Sequence, residues 1–203
     1  MIRSLSNILF LFFLMVSYPG IGQERLTHAS WTELLQEHVT EKGAVDYNGF
    51  KKDEEKLNTY LKVLSEGPPS PSWTRNQKMA FWINVYNAFT VKLIVLNLPV
   101  KSIKDLGGSI YKVNTPWDIK FIKIGSKTYD LNNIEHKILR KKFKDPRIHF
   151  ALNCASVSCP KLRNEAYVSS KLNKQLDEQT KYFINNSGKN IIKGDEAQLS
   201  KLF

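Results

Sequence analysis

The residues most able to do chemistry in this 203-residue chain lie in one segment, DPRIHFALNCASVSCP (145–160), which holds both cysteines and a histidine. The first half of the segment, Arg147 to Leu152, is mostly apolar, as is typical of a buried strand. The second half is small, polar and sulfur-bearing. Because catalytic groups are often carried by a loop that a rigid strand holds in place, the pattern predicts a strand followed by a turn that carries a site.

A cysteine near a histidine suits nucleophilic catalysis, in which the imidazole removes the thiol proton. Cys154 ends the predicted strand, and Cys159 precedes a proline, so a helix beginning there would lower its thiol pKa. In a fully extended chain His149 and Cys154 would lie roughly 16 Å apart, so a dyad requires a sharp bend between them. The predicted catalytic residues are Cys154, Cys159, His149, His136 and Glu135.

Other polar side chains can orient the base or bind the substrate. Asn84 and Asn87 lie three residues apart in an otherwise apolar helix and share a face. A buried amide without partners costs about 1–3 kcal/mol, so these two either bond to the backbone of a neighbouring loop or line a pocket. The predicted substrate-binding residues are Arg147, Asn84, Asn87, Ser156 and Ser158.

The same residues allow three alternative interpretations that involve no thiol chemistry. Cys154 and Cys159 can form a disulfide that stiffens the turn if the protein is exported. The two sulfurs with His136 and His149 can hold zinc, although the spacing fits no strong zinc pattern, and we predict no metal or cofactor. His149 can also be a hydrogen-bonded core residue.

The element that must position these residues is the longest predicted helix, Thr74 to Asn97, which is apolar on nearly every side and therefore a buried centre. Thr74 and Gln77 form a capping-box pattern at its start, and Pro99 follows its end. Further helices are predicted at 31–39, 53–65, 132–143 and 169–184, and hairpins at 121–131 and 191–199. The pattern predicts a single α+β domain in which the central buried helix packs on a small mixed or antiparallel sheet.

The N-terminal segment and the net charge of the chain indicate where the protein acts and which partners are expected. Met1 to Gly22 has the layout of a signal peptide, and its apolar run is too short to span a bilayer, although an uncleaved anchor is the alternative. Residues 23–203 would then be one secreted or periplasmic domain with no membrane span. The 30 Lys+Arg against 19 Asp+Glu give a net charge of +11, but the lysines are spread along the chain, so we predict no nucleic-acid partner. The expected partner is a small-molecule or peptide substrate.

Four motifs resemble the domain-of-unknown-function 547 family: VDY (45–47), AFWINVYNA (80–88), IEHKILR (134–140) and DPRIHFALNCAS with its continuation VSCP (145–160). The resemblance covers the chain from about Trp31 to its end. The family pattern usually continues a little past Lys201, so it implies a truncated C-terminus. The Cys and His motifs around a central helix look similar to papain-like or transglutaminase-like folds, but here the cysteines follow the helix.

Two functional hypotheses follow from these residues. The first is an exported thiol-dependent hydrolase or acyl-transferase that acts on a peptide, amide or thioester bond. The second is a non-catalytic binding domain, in which Arg147, His149, Glu135 and Asn84 hold a polar ligand and the cysteines form a disulfide. A thiol titration distinguishes them, because only the first requires a titratable thiol of lowered pKa.

Overall fold

The computed structural model describes residues 27–106, 115–156 and 158–200, so the predicted signal peptide, Met1 to Gly22, lies outside the described residues. The first half contains α1 (Ala29–His38), α2 (Tyr47–Lys52), α3 (Glu54–Glu66), α4 (Arg75–Leu96) and two short 3₁₀ helices (Ile103–Leu106 and Pro116–Asp118). The hairpin β1 (Ile122–Ile124) and β2 (Lys127–Tyr129) is followed by a π-helix (Asn133–Phe143) and α5 (Ile148–Ala151). The last elements are α6 (Leu172–Asn185) and the hairpin β3 (Ile191–Lys193) and β4 (Glu196–Gln198).

Helix α4 is the buried centre of the fold, as the sequence predicts. Thr74 and Gln77 form the expected capping box, and every residue from Met79 to Val91 is buried. By length and composition α4 could cross a membrane, but 89% of its most apolar stretch is buried inside the protein, as in the core helix of a folded domain. Helices α2 and α3 and the π-helix pack against it, so residues of α4 can reach several other segments.

The fold is α+β with antiparallel pairing, which confirms the predicted class. Ile122 pairs with Tyr129 in the first hairpin, and Ile191 pairs with Gln198 in the second. Within the described residues the two hairpins form separate two-stranded sheets. The first hairpin is attached to α3, because the Gly125 backbone N–H donates to the Ser65 carbonyl at 2.7 Å.

Three local predictions are wrong. The segment from Arg147 to Leu152 is not a strand, because residues 148–151 form the short helix α5. The turn begins where the Asp145 carboxylate accepts from the backbone N–H of Arg147 at 3.1 Å, with Pro146 between them, and the following N–H groups bond three residues back. No helix begins at Cys159, since the next described helix is α6, and α6 begins at Leu172 rather than at the predicted residue 169. The dipole argument for a lowered Cys159 pKa therefore has no structural basis.

Candidate functional site

Both predicted nucleophiles are joined in a disulfide, Cys154–Cys159, which closes a short loop. Cys159 is buried and Cys154 is partly buried. A sulfur in a disulfide is neither a thiolate nucleophile nor a thiolate zinc ligand. In this form the expected nucleophilic role of both residues, and the zinc site that would use both sulfurs, are excluded, and the loop is a covalent staple.

Asn87 attaches this loop to the central helix. The Asn87 Nδ2 donates to the Ala151 carbonyl at 2.9 Å, and its Oδ1 accepts from the Asn153 backbone N–H at 2.9 Å. The Asn153 side chain then donates to the Pro160 carbonyl at 2.8 Å and accepts from the Ala155 N–H at 3.1 Å. Two successive amides thus fix the end of α5 and both sides of the disulfide loop.

Asn84 performs the same task for a different segment. Its Nδ2 donates to the Tyr167 carbonyl at 2.8 Å and its Oδ1 accepts from the Tyr167 N–H at 3.0 Å. Asn84 and Asn87 are both buried, and in each both the amide nitrogen and the amide oxygen bond to loop backbone. The backbone-bonding alternative for these residues is therefore confirmed, and neither amide faces an open pocket.

Arg147 is also committed to internal contacts. Its Nε and Nη2 donate to the two Asp145 oxygens at 3.0 and 2.7 Å, and its Nη1 donates to Asp177 at 2.7 Å. These bonds raise the pKa of Arg147 and lower the pKa of Asp145. The guanidinium joins the start of α5 to α6 through ion pairs, and its expected contact with a ligand stays a prediction.

Ser156 and Ser158 lie on the surface of the disulfide loop. Their hydroxyls are 3.3 Å apart, and Ser158 is exposed. Val157, between them, lies outside the described residues. The serines can contact an external molecule, whereas the backbone N–H of Ala155 already donates to the Asn153 side chain.

Glu135 of the π-helix and His149 of α5 lie close together in space. The His149 Nε2 lies 4.0 Å from the Glu135 Oε1, and the buried Tyr86 hydroxyl of α4 hydrogen-bonds to the same carboxylate. Burial lowers the pKa of His149, and the nearby charges of Arg140 and His136 lower it further against the opposing effect of Glu135. The imidazole is therefore neutral at pH 7 and can accept a proton.

The remaining members of this group project from the π-helix. The His136 Nδ1 lies 3.4 Å from the Arg140 Nη1, and both side chains are exposed. π-Helical turns are rare and are found frequently at functional sites. We call Tyr86, Glu135, His136, Arg140 and His149 the acid–base cluster. It contains two of the predicted catalytic side chains in close contact, Glu135 and His149, with His136 at their edge.

The disulfide loop follows the acid–base cluster closely in the chain. His149 lies in α5, and Cys154 comes three residues after that helix ends. The first cysteine of the loop therefore lies five positions after His149.

Sequence reasoning missed several polar residues. The local sequence shows Tyr86 only as part of an apolar helix, and it shows Gln179, which donates to the Phe150 and Lys161 carbonyls, only as part of the inner face of a helix. His28 and His38 look like ordinary surface or helix positions in the sequence, yet both are buried and hydrogen-bonded, to Tyr60 and Asp53. An Asn or Gln on an apolar face is the signal that marks such backbone clamps.

His38 belongs to the one group of possible metal ligands found in the described residues, Glu37, His38 and Asp53, whose ligand atoms lie within 4.8 Å of one another. The Lys56 ammonium lies 2.8 Å from an Asp53 oxygen and 3.8 Å from Glu37. A cationic side chain thus already pairs with both carboxylates of this group, which makes it an ion-pair network.

Fold and site together define a small α+β domain that holds an acid–base cluster and a disulfide-closed loop. Residues 70–184 match the family model described as "Protein of unknown function, DUF547". The match covers more than half of the chain, so the protein belongs to this family, as the motifs predict. No curated protein and no solved structure matches the chain.

Proposed function

We propose that this protein is an exported domain that binds a polar ligand at the acid–base cluster, with the disulfide as a structural staple. The observation that carries the proposal is that the Cys154–Cys159 bond removes both thiols while Glu135 and His149 keep unpaired acceptor positions. Disulfides persist in oxidising compartments, which is compatible with export.

The geometry of the Glu135–His149 pair indicates the ligand chemistry. Their 4.0 Å separation exceeds hydrogen-bonding range, so neither group satisfies the other. A ligand N–H or O–H between them can reach both. In the part of the chain that the structure describes, no hydrogen bond to a His149 ring nitrogen is found, and about a third of this side chain is exposed.

The neighbouring cation indicates a second feature of the ligand. Arg140 is exposed, and its guanidinium has donors beyond the one that faces His136. A guanidinium binds a carboxylate with two parallel hydrogen bonds. A molecule with an N–H donor and a carboxylate a few ångströms apart, such as the C-terminal residue of a peptide, therefore fits the acid–base cluster.

Calorimetric titration of the oxidised protein with trialanine tests this proposal, with C-terminally amidated trialanine as the comparison ligand. We expect saturable binding of the free acid and weaker binding of the amide. Glu135→Gln should weaken binding about tenfold or more, because hydrogen bonds to charged groups contribute about 1.5–3 kcal/mol. Lys137→Gln is the matched control, since Lys137 is exposed on the same π-helix. Equal binding by the wild type and Glu135→Gln would refute the assignment.

A second function is favoured by one specific observation, the neutral His149 paired with Glu135, five residues before Cys154 in the chain. A dithiol reductant would convert the disulfide to two thiols and be oxidised to its own disulfide. His149 would then take the Cys154 proton, and the thiolate would attack an acyl carbon and release the amine or thiol as an acyl-enzyme forms. Water or an acceptor would release the acyl group. This is the thiol-dependent hydrolase or acyl-transferase of the first hypothesis.

The two functions differ in their dependence on reduction. Thioester hydrolysis that appears only after dithiothreitol treatment, and is lost in Cys154→Ala but kept in Cys159→Ala, would support the thiol enzyme. Activity that survives both single substitutions would remove it. Trialanine binding by the oxidised form that disappears on reduction supports the binding domain instead.

A further inference from the structure

A cavity of about 720 Å³ lies beside the start of α4 and shares no residue with the acid–base cluster or the disulfide loop. Its walls come from the start of α1, the end of α3, the start of α4 and the loop 168–170. Pockets of about 300–1,000 Å³ are the usual size of small-molecule sites. The volume therefore suits a compact organic ligand.

One polar side chain in this wall is buried and has a free donor. His28 is 9% exposed, and its Nδ1 lies 2.7 Å from the Tyr60 hydroxyl. Burial keeps the pKa of Tyr60 well above its usual value, so the phenol is protonated, and Nδ1 is the one partner of its hydroxyl among the described residues. The O–H therefore donates to Nδ1. The proton of the neutral imidazole then resides on Nε2, for which the described residues provide no partner. His28 thus offers one N–H to the cavity that it lines.

The other walls select against a charged or strongly polar ligand. Trp73, Val63 and Ala80 supply apolar surface. Of the polar side chains that line the cavity, Gln77 belongs to the α4 capping box and Thr32 accepts from the Ala166 N–H at 3.1 Å. The hydroxyls of Thr27, Ser169 and Ser170 are uncharged. Glu66 is exposed and would repel an anion.

The loop that closes the cavity is held in place from within. Val168, which lines it, follows Tyr167, whose backbone is bonded on both sides to Asn84. The Val168 N–H donates to the buried Gln175 side chain at 2.9 Å. These bonds fix the wall without a ligand, so the cavity is preformed.

From this geometry we propose that the cavity is a second binding site, for a neutral, largely apolar molecule with one carbonyl oxygen that accepts from the His28 Nε2–H. The site is independent of the acid–base cluster. Val63, 43% exposed on α3, lies where a larger side chain would occupy the cavity with little change to the core.

The neutral aromatic ketone Prodan tests the proposal, because its emission reports both an apolar environment and a hydrogen bond to its carbonyl. We expect saturable, one-to-one binding to the full chain with blue-shifted emission. Val63→Tyr should abolish binding, whereas Leu96→Tyr, at the far end of α4 and also exposed, should leave it unchanged. Circular dichroism confirms that both variants fold.

His28→Phe tests the donor. Loss of one neutral hydrogen bond should weaken Prodan binding about two- to tenfold, and the bound emission should shift further to the blue. Absence of saturable binding, or wild-type affinity in Val63→Tyr, overturns the site. Unchanged affinity and emission in His28→Phe overturn the role of His28.

Discussion

Replacing Asn87 with alanine should destabilise the protein strongly, because this amide satisfies two buried backbone groups. The substitution leaves the Ala151 carbonyl and the Asn153 N–H without their partners, each of which was bonded at 2.9 Å. An unsatisfied buried group costs about 1–3 kcal/mol, so we expect a loss of roughly 2–5 kcal/mol in the free energy of unfolding. A small domain has a total of only about 5–15 kcal/mol.

Urea unfolding measures the loss, and hydrogen exchange shows where it acts. Exchange should accelerate from α5 through the disulfide loop, because Asn87 holds both. Asn58→Ala, at an exposed position of α3, is the matched control and should change stability by less than about 0.5 kcal/mol. If Asn87→Ala kept wild-type stability and lost only ligand binding, Asn87 would contact the ligand and would not hold the loop backbone in place.

Three further predictions concern other parts of the fold. Burial lowers the pKa of His28 from 6.5 to about 4, so the folded form resists protonation. The free energy of unfolding should therefore be greatest above pH 6.5 and fall by about 3 kcal/mol as the pH drops to 4. Urea unfolding at a series of pH values measures this fall, which should be absent in His28→Phe. Reduction of Cys154–Cys159 should lower the free energy of unfolding by about 2 kcal/mol, given the short loop, and no change in the urea midpoint would show that the bond is absent. Gly43→Ala should lower the thermal midpoint of unfolding more than Gly188→Ala. Both glycines have positive φ, but only at Gly43 would the added methyl overlap the chain just after the disulfide loop. Equal decreases in the two variants would argue against that contact.

The central helix was predictable because its signals are local. The capping box at Thr74 and Gln77 and the apolar residues on every side of the helix are visible in the sequence, and the structure contains both. The short hairpins were predictable for the same reason, since glycine-containing turns separate short apolar runs.

The segment around His149 was assigned the wrong secondary structure because two local signals conflict there. Its apolar run favours a strand, whereas Asp145 followed by Pro146 is also the sequence with which a helical turn starts. The structure follows the second signal, since Asp145 accepts from the Arg147 N–H. A six-residue apolar run is too short to decide between helix and strand by periodicity.

The contacts that define the candidate site depend on tertiary packing. The sequence predicts Glu135 and His149 as site residues. Only the tertiary fold brings the Glu135 Oε1 and the His149 Nε2 to within 4.0 Å of each other. Tyr86 joins them from the middle of α4, where its neighbours are apolar. The sequence predicts Arg147 as a ligand contact, because nothing in its local sequence shows that Asp177 reaches it.

The central claim is that the acid–base cluster, and not the sulfur pair, meets the ligand. Its most direct test is to follow the imidazole resonances of His149 by NMR while the oxidised protein is titrated with trialanine. We expect the His149 resonances to shift and saturate in a protein with no titratable thiol, while the resonances of the buried His38 stay unchanged. Binding that leaves His149 unmoved, or that needs a free thiol, would contradict it.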